Sequence, residues 1–186
     1  MTGKFIVEPL APSHDRAAFT CGVDALDRYF WRQAGQDVRR RVTACFVARE
    51  IATGRVAGYY TLAAAGILLA EMPAPLARRL PRYPSVPVAR LGRLAVASAW
   101  HGLKLGGALL WDAVDRASRS EVAVYAIVVD AKDQQAESFY RHYGFVAFGN
   151  TPRCLILPLS ARGKQDLTRQ RLGPFAQDRQ VGIVYE

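Results

Sequence analysis

The sequence predicts an α/β protein with a mixed sheet. The second half alternates strand and helix signals, with strands at 88–96 and 122–131 followed by helices at 102–120 and 132–145, and such alternation is typical of α/β proteins. The strand at 122–131 is almost continuously apolar, as expected of a strand that is buried on both faces. At 186 residues, with 51% of them hydrophobic, the chain is long enough to bury one substantial core.

The first half adds strands around one amphipathic helix. Apolar residues recur at helical spacing within 22–41, which predicts a helix there. Apolar segments on either side of turn signals predict three strands, at 4–10, 43–50 and 55–69. The proline-rich segment 72–87 carries three arginines and is predicted to be a short helix and loop within the domain.

The chain is predicted to end its folded part near residue 159. Gly144 terminates the helix at 132–145, and two short strands follow at 145–149 and 154–159. We therefore expect one domain over residues 1–159. A polar extension over 160–186 follows it, which we expect to be only partly ordered before residue 181.

The charge balance indicates a polyanion as a partner. Lysine and arginine number 25 against 16 acidic residues, so the formal net charge is +9. Many of the cations are clustered arginines, a pattern typical of proteins that bind phosphates. The clusters are Arg39, Arg40 and Arg41, then Arg78, Arg79 and Arg82, then Arg90 and Arg93. A basic surface that only maintains solubility is the alternative, and charge alone leaves both open.

Membrane, secretion and metal signals are weak. The longest apolar run, at 61–70, is shorter than the roughly 18 residues that a membrane span needs. Residues 1–10 do not resemble a signal peptide. The three cysteines share no CxxC spacing and the three histidines are scattered. We therefore expect a cytoplasmic protein with reduced thiols, no metal site and no membrane association.

A glycine-bearing turn joins the strand at 88–96 to the next helix. Backbone N–H groups at such a turn, together with the helix dipole, can bind a phosphate. The dinucleotide and Walker spacings are both absent, and Lys104 stands where a phosphate cradle usually has glycine. An anion site and a simple packing turn are both compatible with these residues.

The same turn resembles motif A of the GNAT acetyltransferase superfamily, [Q/R]-x-x-G-x-[G/A]. His101 takes the Gln/Arg position, Lys104 the middle glycine position and Gly106 the last small position. The resemblance implies a GNAT fold, with a mixed, mostly antiparallel sheet of six to seven strands flanked by about four helices. It also implies that acetyl-CoA is the acetyl donor. The residues then expected at acetyl-CoA are Leu94, Ala95, Val96, His101, Gly102, Leu103, Lys104, Leu105, Gly106, Gly107 and Asp133.

A second GNAT pattern, V-x-x-x-N-x-x-A-x-x-x-Y, matches residues 129–140. Asp133 takes the Asn position and Tyr140 the final position, in register with the first motif. In this pattern the tyrosine is the general acid, and a phenol can protonate a departing thiolate. Tyr140 as a plain core or rim aromatic is the alternative, and Tyr143 has a weaker claim to the catalytic role.

Five further segments resemble one GNAT branch, the tRNA-acetylating toxins of bacterial toxin–antitoxin modules. The resemblance extends from about residue 8 to residue 159, and the segment at 76–96 is its most specific part. The five segments are 19–37, 56–64, 76–96, 128–133 and 139–145.

This closer resemblance implies a substrate and partners. Acetyl would move from acetyl-CoA to the α-amine of an aminoacyl-tRNA, and a ribbon-helix-helix antitoxin would cover the active face of a homodimer. Arg78, Arg79, Arg82, Arg90 and Arg93 would contact the acceptor stem. Glu71 and Asp130 are the only candidates for a general base, without support from spacing. Two alternatives remain: a GNAT that acetylates a protein or small amine, and a catalytically silent module that binds CoA or an antitoxin.

Overall fold

The computed structural model describes residues 4–159 and 183–184. Its helices are α1 (Asp24–Arg32), α2 (Ala34–Arg39), α3 (Ala74–Ala77), α4 (Leu105–Ser118) and α5 (Gln134–His142), with short 3-10 turns at Leu69–Glu71 and Ser98–Trp100. Its strands are β1 (Phe5–Pro9), β2 (Ala44–Glu50), β3 (Val56–Leu68), β4 (Ser85–Val96), β5 (Ala126–Asp130), β6 (Val146–Ala147), β7 (Cys154–Pro158) and β8 (Ile183–Val184). The predicted α/β class with a mixed, mostly antiparallel sheet is confirmed.

The described residues form two compact units. The first comprises 4–63, 92–113 and 183–184, and the second comprises 64–91 and 114–159. The long elements β3, β4 and α4 contribute residues to both.

In the first unit the strands follow the order β4-β3-β2-β1-β8. β1 pairs antiparallel with β2, and β2 pairs antiparallel with β3. Its core is aromatic: the ring of Tyr59 stacks on Phe30 with centroids 4.3 Å apart, and Phe19 packs edge-on against both. The buried Asp27 carboxylate accepts hydrogen bonds from the Cys21 amide and the Thr20 hydroxyl, which joins α1 to the preceding loop.

In the second unit the strands follow the order β6-β7-β5-β4-β3. β4 and β5 pair in parallel from Val88↔Ala126 to Leu91↔Val129, whereas β7 is antiparallel to both of its neighbours. Aliphatic side chains from these strands form the core, and the inner face of α3 packs against it.

Several element boundaries differ from the prediction, and β4 begins at Ser85, inside the segment expected to be a short helix and loop. The helix expected over 22–41 is divided at Gln33, whose backbone departs to φ −110°, into α1 and α2. The strand expected over 122–131 begins only at Ala126, and the helix expected over 102–120 begins at Leu105. Apart from β8, the predicted extension at 160–186 lies outside the described residues.

The described helices are short or carry charged residues. None of those within residues 4–159 combines the length and the apolar character that a bilayer span requires.

Candidate active site

The last residues of β4 form the first part of the candidate acetyl-CoA site. Ala95 is buried, while Leu94 and Val96 are half-buried. Gly58 of β3 passes so close to them that a Cβ there would lie 2.9 Å from the Ala95 carbonyl oxygen and 2.8 Å from Leu109 Cδ1. A glycine inside a strand is the sequence signal for such a close approach, and the sequence analysis did not use it.

His101 closes back onto the same strand. Its Nε2 atom lies 2.8 Å from the Val96 carbonyl oxygen. Because a carbonyl only accepts, Nε2 carries the proton and donates it. The imidazole in the Gln/Arg position of the motif therefore braces the turn against the end of β4.

The turn itself requires left-handed backbone at two residues. Gly102 has φ +77° and Lys104 has φ +60°. Glycine adopts this region without strain, whereas a lysine pays about 1–2 kcal/mol because its Cβ approaches the following carbonyl oxygen. The glycine that the motif expects at position 104 thus has a conformational reason, and Lys104 adopts the same conformation despite its side chain.

The first turn of α4 supplies the hydrogen-bond donors. The first backbone bond of the helix runs from the Ala108 amide to the Lys104 carbonyl over 3.3 Å. The amides of Leu105, Gly106 and Gly107 precede it, and the first N–H groups of an α-helix have no acceptor within the helix. They point along the helix axis with the positive end of its dipole. These residues fit the pyrophosphate of acetyl-CoA.

The turn is anchored at its start. The Ser98 amide donates to the Thr20 carbonyl over 2.9 Å. Trp100 is buried, packs edge-on against Phe5 and carries the Arg55 guanidinium 5.1 Å from its ring centroid. The donors are therefore held in place before a ligand arrives, which reduces the entropy lost on binding.

We expect Lys104 to contribute charge at the expense of backbone strain. Lys104→Gly should raise the free energy of unfolding by about 1 kcal/mol, or roughly 2–4 °C in Tm, because the strain is relieved. Lys104→Asn tolerates the left-handed region and removes only the charge, so acetyl-CoA affinity should fall about fivefold at low salt. Lys104→Arg is the matched control and should bind like the wild type in calorimetry. Equal affinity of the Asn and Arg variants would contradict a charge contribution.

Tyr140 lies on α5 in the second unit. Its ring is 9% exposed and packs against Phe139 and Phe145, with centroids 5.2 and 5.4 Å away. The amides of Tyr143 and Phe145 both donate to the Tyr140 carbonyl, at 3.0 and 3.2 Å, which fixes the end of the helix.

The phenol oxygen of Tyr140 has different surroundings from the packed ring. Among the described residues no hydrogen bond uses this oxygen, and no buried side-chain nitrogen or oxygen lacks a partner. The oxygen therefore keeps some contact with solvent, although Tyr140 as a whole is only 9% exposed. Burial raises the pKa of Tyr140 to about 12, so the group is a protonated donor at cellular pH.

Asp133 begins α5 as its N-cap. Its carboxylate accepts a hydrogen bond from the Ala136 amide over 2.8 Å and forms an ion pair with Lys132. The hydrogen bond from Lys132 is the main cause that lowers the pKa of Asp133. Asp and Asn cap helices equally well, which gives a structural reason for either residue in this motif position. Contact between Asp133 and the cofactor stays a prediction.

The five predicted tRNA-contacting arginines have different surroundings. Arg78, Arg79 and Arg82 are exposed in the second unit. Arg90, in the same unit, forms an ion pair with Asp130. Arg93 belongs to the first unit, where its guanidinium lies 3.4 Å from the ring centroid of Tyr29. The last two are partly engaged within the protein, and the sequence analysis missed Tyr29 as the support of Arg93.

The two candidate bases are also placed. Asp130 forms an ion pair with Arg90, and its carboxylate accepts a hydrogen bond from the Cys154 thiol over 2.8 Å. Glu71 is exposed at the end of a 3-10 turn. A general-base role for either residue stays a prediction that no contact described here supports. The described residues contain no group of three or more side chains suited to a metal ion.

Comparisons with known proteins agree with this architecture. Residues 78–154 match the family model described as an acetyltransferase (GNAT) domain. The tRNA-acetylating toxin of Mycobacterium tuberculosis is 32% identical over 159 residues, which cover 84% of this chain and 93% of that protein. The probable toxin TacT of Sinorhizobium fredii is 28% identical over 167 residues, covering 84% and 92%.

Solved structures show the same fold. AtaT complexed with acetyl-methionyl-tRNAfMet superposes with a TM-score of 0.78 at 24% identity, covering 83% of this chain and 94% of that one. With the identity to the tRNA-acetylating toxin, these findings establish that the chain is an acetyl-CoA-dependent acetyltransferase of the GNAT superfamily and belongs to the family of the tRNA-acetylating toxins.

Proposed function

We propose that this enzyme is a toxin that moves acetyl from acetyl-CoA to the α-amine of an aminoacyl-tRNA and so blocks translation. The observation that carries the proposal is the turn before α4, where left-handed backbone at Gly102 and Lys104 leads into the free amides of a helix start. This is a phosphate-binding arrangement, as acetyl-CoA requires. The similarity to the tRNA-acetylating toxin and to AtaT complexed with acetyl-methionyl-tRNAfMet supports an aminoacyl-tRNA as the acetyl acceptor.

Each part of the chain has a role in the proposal. Backbone groups of Leu94 and Val96 pair with the extended pantetheine, and the amides from Gly102 to Gly107 hold the pyrophosphate. Acetyl-CoA supplies an activated acetyl thioester. Tyr140 donates its phenol proton to the departing thiolate, and the proton that the nitrogen loses on forming the amide returns through solvent to the Tyr140 oxygen. The acceptor α-amine has a pKa near 8 and is partly neutral at cellular pH, so no strong general base is needed.

The exposed arginines are assigned to the tRNA. Arg78, Arg79 and Arg82 contact phosphates of the acceptor stem, Arg90 and Arg93 make further phosphate contacts, and Arg39, Arg40 and Arg41 have a lesser role. Phosphate contacts by Arg and Lys dominate nucleic-acid affinity. Support comes from the exposure of the first three and from the net charge of +9.

The proposal includes regulation by a partner. Solved AtaT structures include complexes with the antitoxin AtaR and with AcCoA. By analogy, a ribbon-helix-helix antitoxin neutralises this enzyme by covering its active face. The enzyme acts as a homodimer in the cytoplasm, where its substrate is made.

Acetylation of isolated aminoacyl-tRNA tests the function directly. Wild-type protein, acetyl-CoA and charged tRNA should give aminoacyl-tRNA that is ~42 Da heavier by mass spectrometry, because an acetyl group replaces one hydrogen of the amine. Uncharged tRNA and peptides with free N-termini serve as controls. Acetylation of peptides alone would favour the protein-modifying alternative, and no acetylation at all would favour the silent module.

We predict that Arg78→Ala/Arg79→Ala flattens the salt dependence of tRNA binding. Each lost phosphate contact should reduce the slope of log affinity against log salt by roughly 0.7–0.9, so the double variant should lose about 1.4–1.8 in slope. The matched control is Arg119→Ala/Arg141→Ala, which removes the same charge from arginines already paired with Asp115 and Glu137. Equal slopes for the two double variants would mean that net charge, and not this site, attracts tRNA.

A further inference from the structure

One aromatic side chain is exposed among the arginines of the second unit. Tyr83 has 67% of its surface exposed. Three arginines, Arg78, Arg79 and Arg82, precede it within five residues. We call these four residues the arginine–tyrosine turn. The exposed ring presents a π-face on the same segment of chain as three cations.

The turn is rigid. Tyr83 stands between Pro81 and Pro84, and its amide donates to the Pro81 carbonyl over 2.8 Å. The Leu69 amide donates to the Pro84 carbonyl over 3.1 Å, which ties the turn to the end of β3. On the inner side, Leu76, Ala77 and Leu80 pack against the core of the unit. The ring is therefore displayed on a backbone whose freedom is already lost, and binding to it costs little additional ordering.

The three cations of the turn have no acidic partner among the described residues. Three exposed arginines elsewhere, Arg28, Arg119 and Arg141, each pair with a carboxylate four residues earlier. The exposed Arg39, Arg40 and Arg41 resemble the turn in having no acidic partner among the described residues. Arg78, Arg79 and Arg82 take part in no ion pair in the described part of the chain. Their guanidinium groups are available to a phosphate chain that passes the ring.

We infer that Tyr83 is a stacking platform for an unpaired base of RNA, with the arginines of the turn on the adjoining phosphates. The inference deepens the proposed function and rests on it, since the aminoacylated end of a tRNA is single-stranded. Bases within a duplex are covered by their neighbours, whereas an unpaired base presents a π-face that aromatic rings bind in a sequence-tolerant way. Tyr and Arg are also enriched at protein interfaces. Three exposed arginines without an acidic partner among the described residues nevertheless match the continuous negative charge of a phosphate chain.

Binding of short oligonucleotides tests the inference. The probes are a fluorescent single-stranded RNA hexamer, the same hexamer with abasic riboses, and a hairpin duplex without overhangs. Tyr83→Ala should bind the intact hexamer roughly 5- to 150-fold more weakly, the range expected for loss of one stacked base. It should bind the abasic hexamer and the duplex like the wild type. Tyr83→Phe keeps the ring and should retain affinity, and Val122→Ala, at a position 75% exposed, is the control for a surface apolar side chain.

The outcomes separate this inference from the proposed function. Equal binding of the intact and abasic hexamers by the wild type would overturn the inference without any variant. An equal loss in Tyr83→Ala on all three probes, or no loss on the intact hexamer, would overturn it as well. So would weaker binding of the antitoxin alone, which would assign Tyr83 to a protein interface. Acetylation of charged tRNA by the wild type is measured in parallel, so that the proposed function stands or fails by its own result.

Discussion

Tyr140→Phe should lower kcat for aminoacyl-tRNA acetylation by roughly 10²–10⁴-fold while leaving acetyl-CoA affinity unchanged, because it removes the proposed general acid and nothing else. The phenylalanine keeps the ring packing against Phe139 and Phe145. The hydroxyl makes no hydrogen bond among the described residues, so its loss should change stability little. Single-turnover rates with saturating acetyl-CoA and calorimetric affinities for it measure the two quantities separately.

The pKa of Tyr140 determines how the proton is transferred. At about 12 it lies above the value near 8.5 of an ordinary thiol, so complete transfer to a thiolate in water would be uphill by roughly 5 kcal/mol. Desolvation also raises the pKa of the departing thiol, which reduces the difference between its pKa and that of Tyr140. Donation therefore suits a transition state in which the C–S bond is breaking and the charge on sulfur is only partly developed.

The same pKa predicts the pH profile of the wild-type enzyme. The rate should rise with pH until the acceptor amine is neutral, near pH 8. It should then stay level to about pH 11, because burial raises the pKa of Tyr140 to about 12 and keeps the acid protonated. A fall beginning near pH 9 would indicate a phenol with an ordinary pKa and would contradict the buried environment of the ring.

Tyr143→Phe is the matched control for the Tyr140 prediction. Tyr143 lies three residues further along, is equally buried at 8% exposure, and packs against the same Phe139 ring. Its variant should retain activity within about threefold and should remain toxic in a cell without antitoxin. Reversed phenotypes would assign the acid to Tyr143, and two active variants would remove the tyrosine mechanism altogether.

The fold was largely predictable from local patterns, and the errors in the prediction lie at the boundaries of helices and strands. The sequential order of strands and helices follows from apolar periodicity, which a single sequence displays. The division of the first helix at Gln33 has no such signal, because Ala34 is buried and continues the helical spacing. The segment before Ala126 is apolar yet outside β5, since pairing with β4 begins only at Val88↔Ala126. The residues that pair with a strand are distant from it in sequence, so its own composition does not predict where the strand begins or ends.

The sequence nominates the residues of the candidate site but not their conformations or their partners. Motif spacing predicted the turn, Tyr140 and Asp133 by number. It did not predict that Lys104 adopts the conformation of the glycine it replaces, because propensity disfavours that conformation for lysine. Motif spacing also could not distinguish the ion-paired Arg90 from the exposed Arg78. Both are arginines, and only the fold places Asp130 beside Arg90. Ion pairing between distant residues distinguishes free cations from engaged ones.

Gly106→Asp should weaken acetyl-CoA binding by roughly 30- to 1,000-fold, the second-largest effect we expect. Gly106 is the second residue of α4 and is half-buried, so its side chain would project beside the amides proposed to hold the pyrophosphate. A carboxylate a few ångströms from phosphate costs on the order of 2–4 kcal/mol near a protein surface. Folding should not suffer, because Gly106 does not require positive φ and acidic residues are favourable in the first turn of a helix.

The isosteric variant Gly106→Asn separates charge from bulk. It adds nearly the same volume at the same place without the negative charge, so it should lose much less affinity, and only the Asp variant should recover as salt screens the repulsion. Calorimetry with acetyl-CoA at low and high salt, together with Tm values for both variants, measures the difference. Equal losses for Asp and Asn would show that the side chain only obstructs the turn. Wild-type affinity in both would place the pyrophosphate elsewhere and would remove the role assigned here to the start of α4.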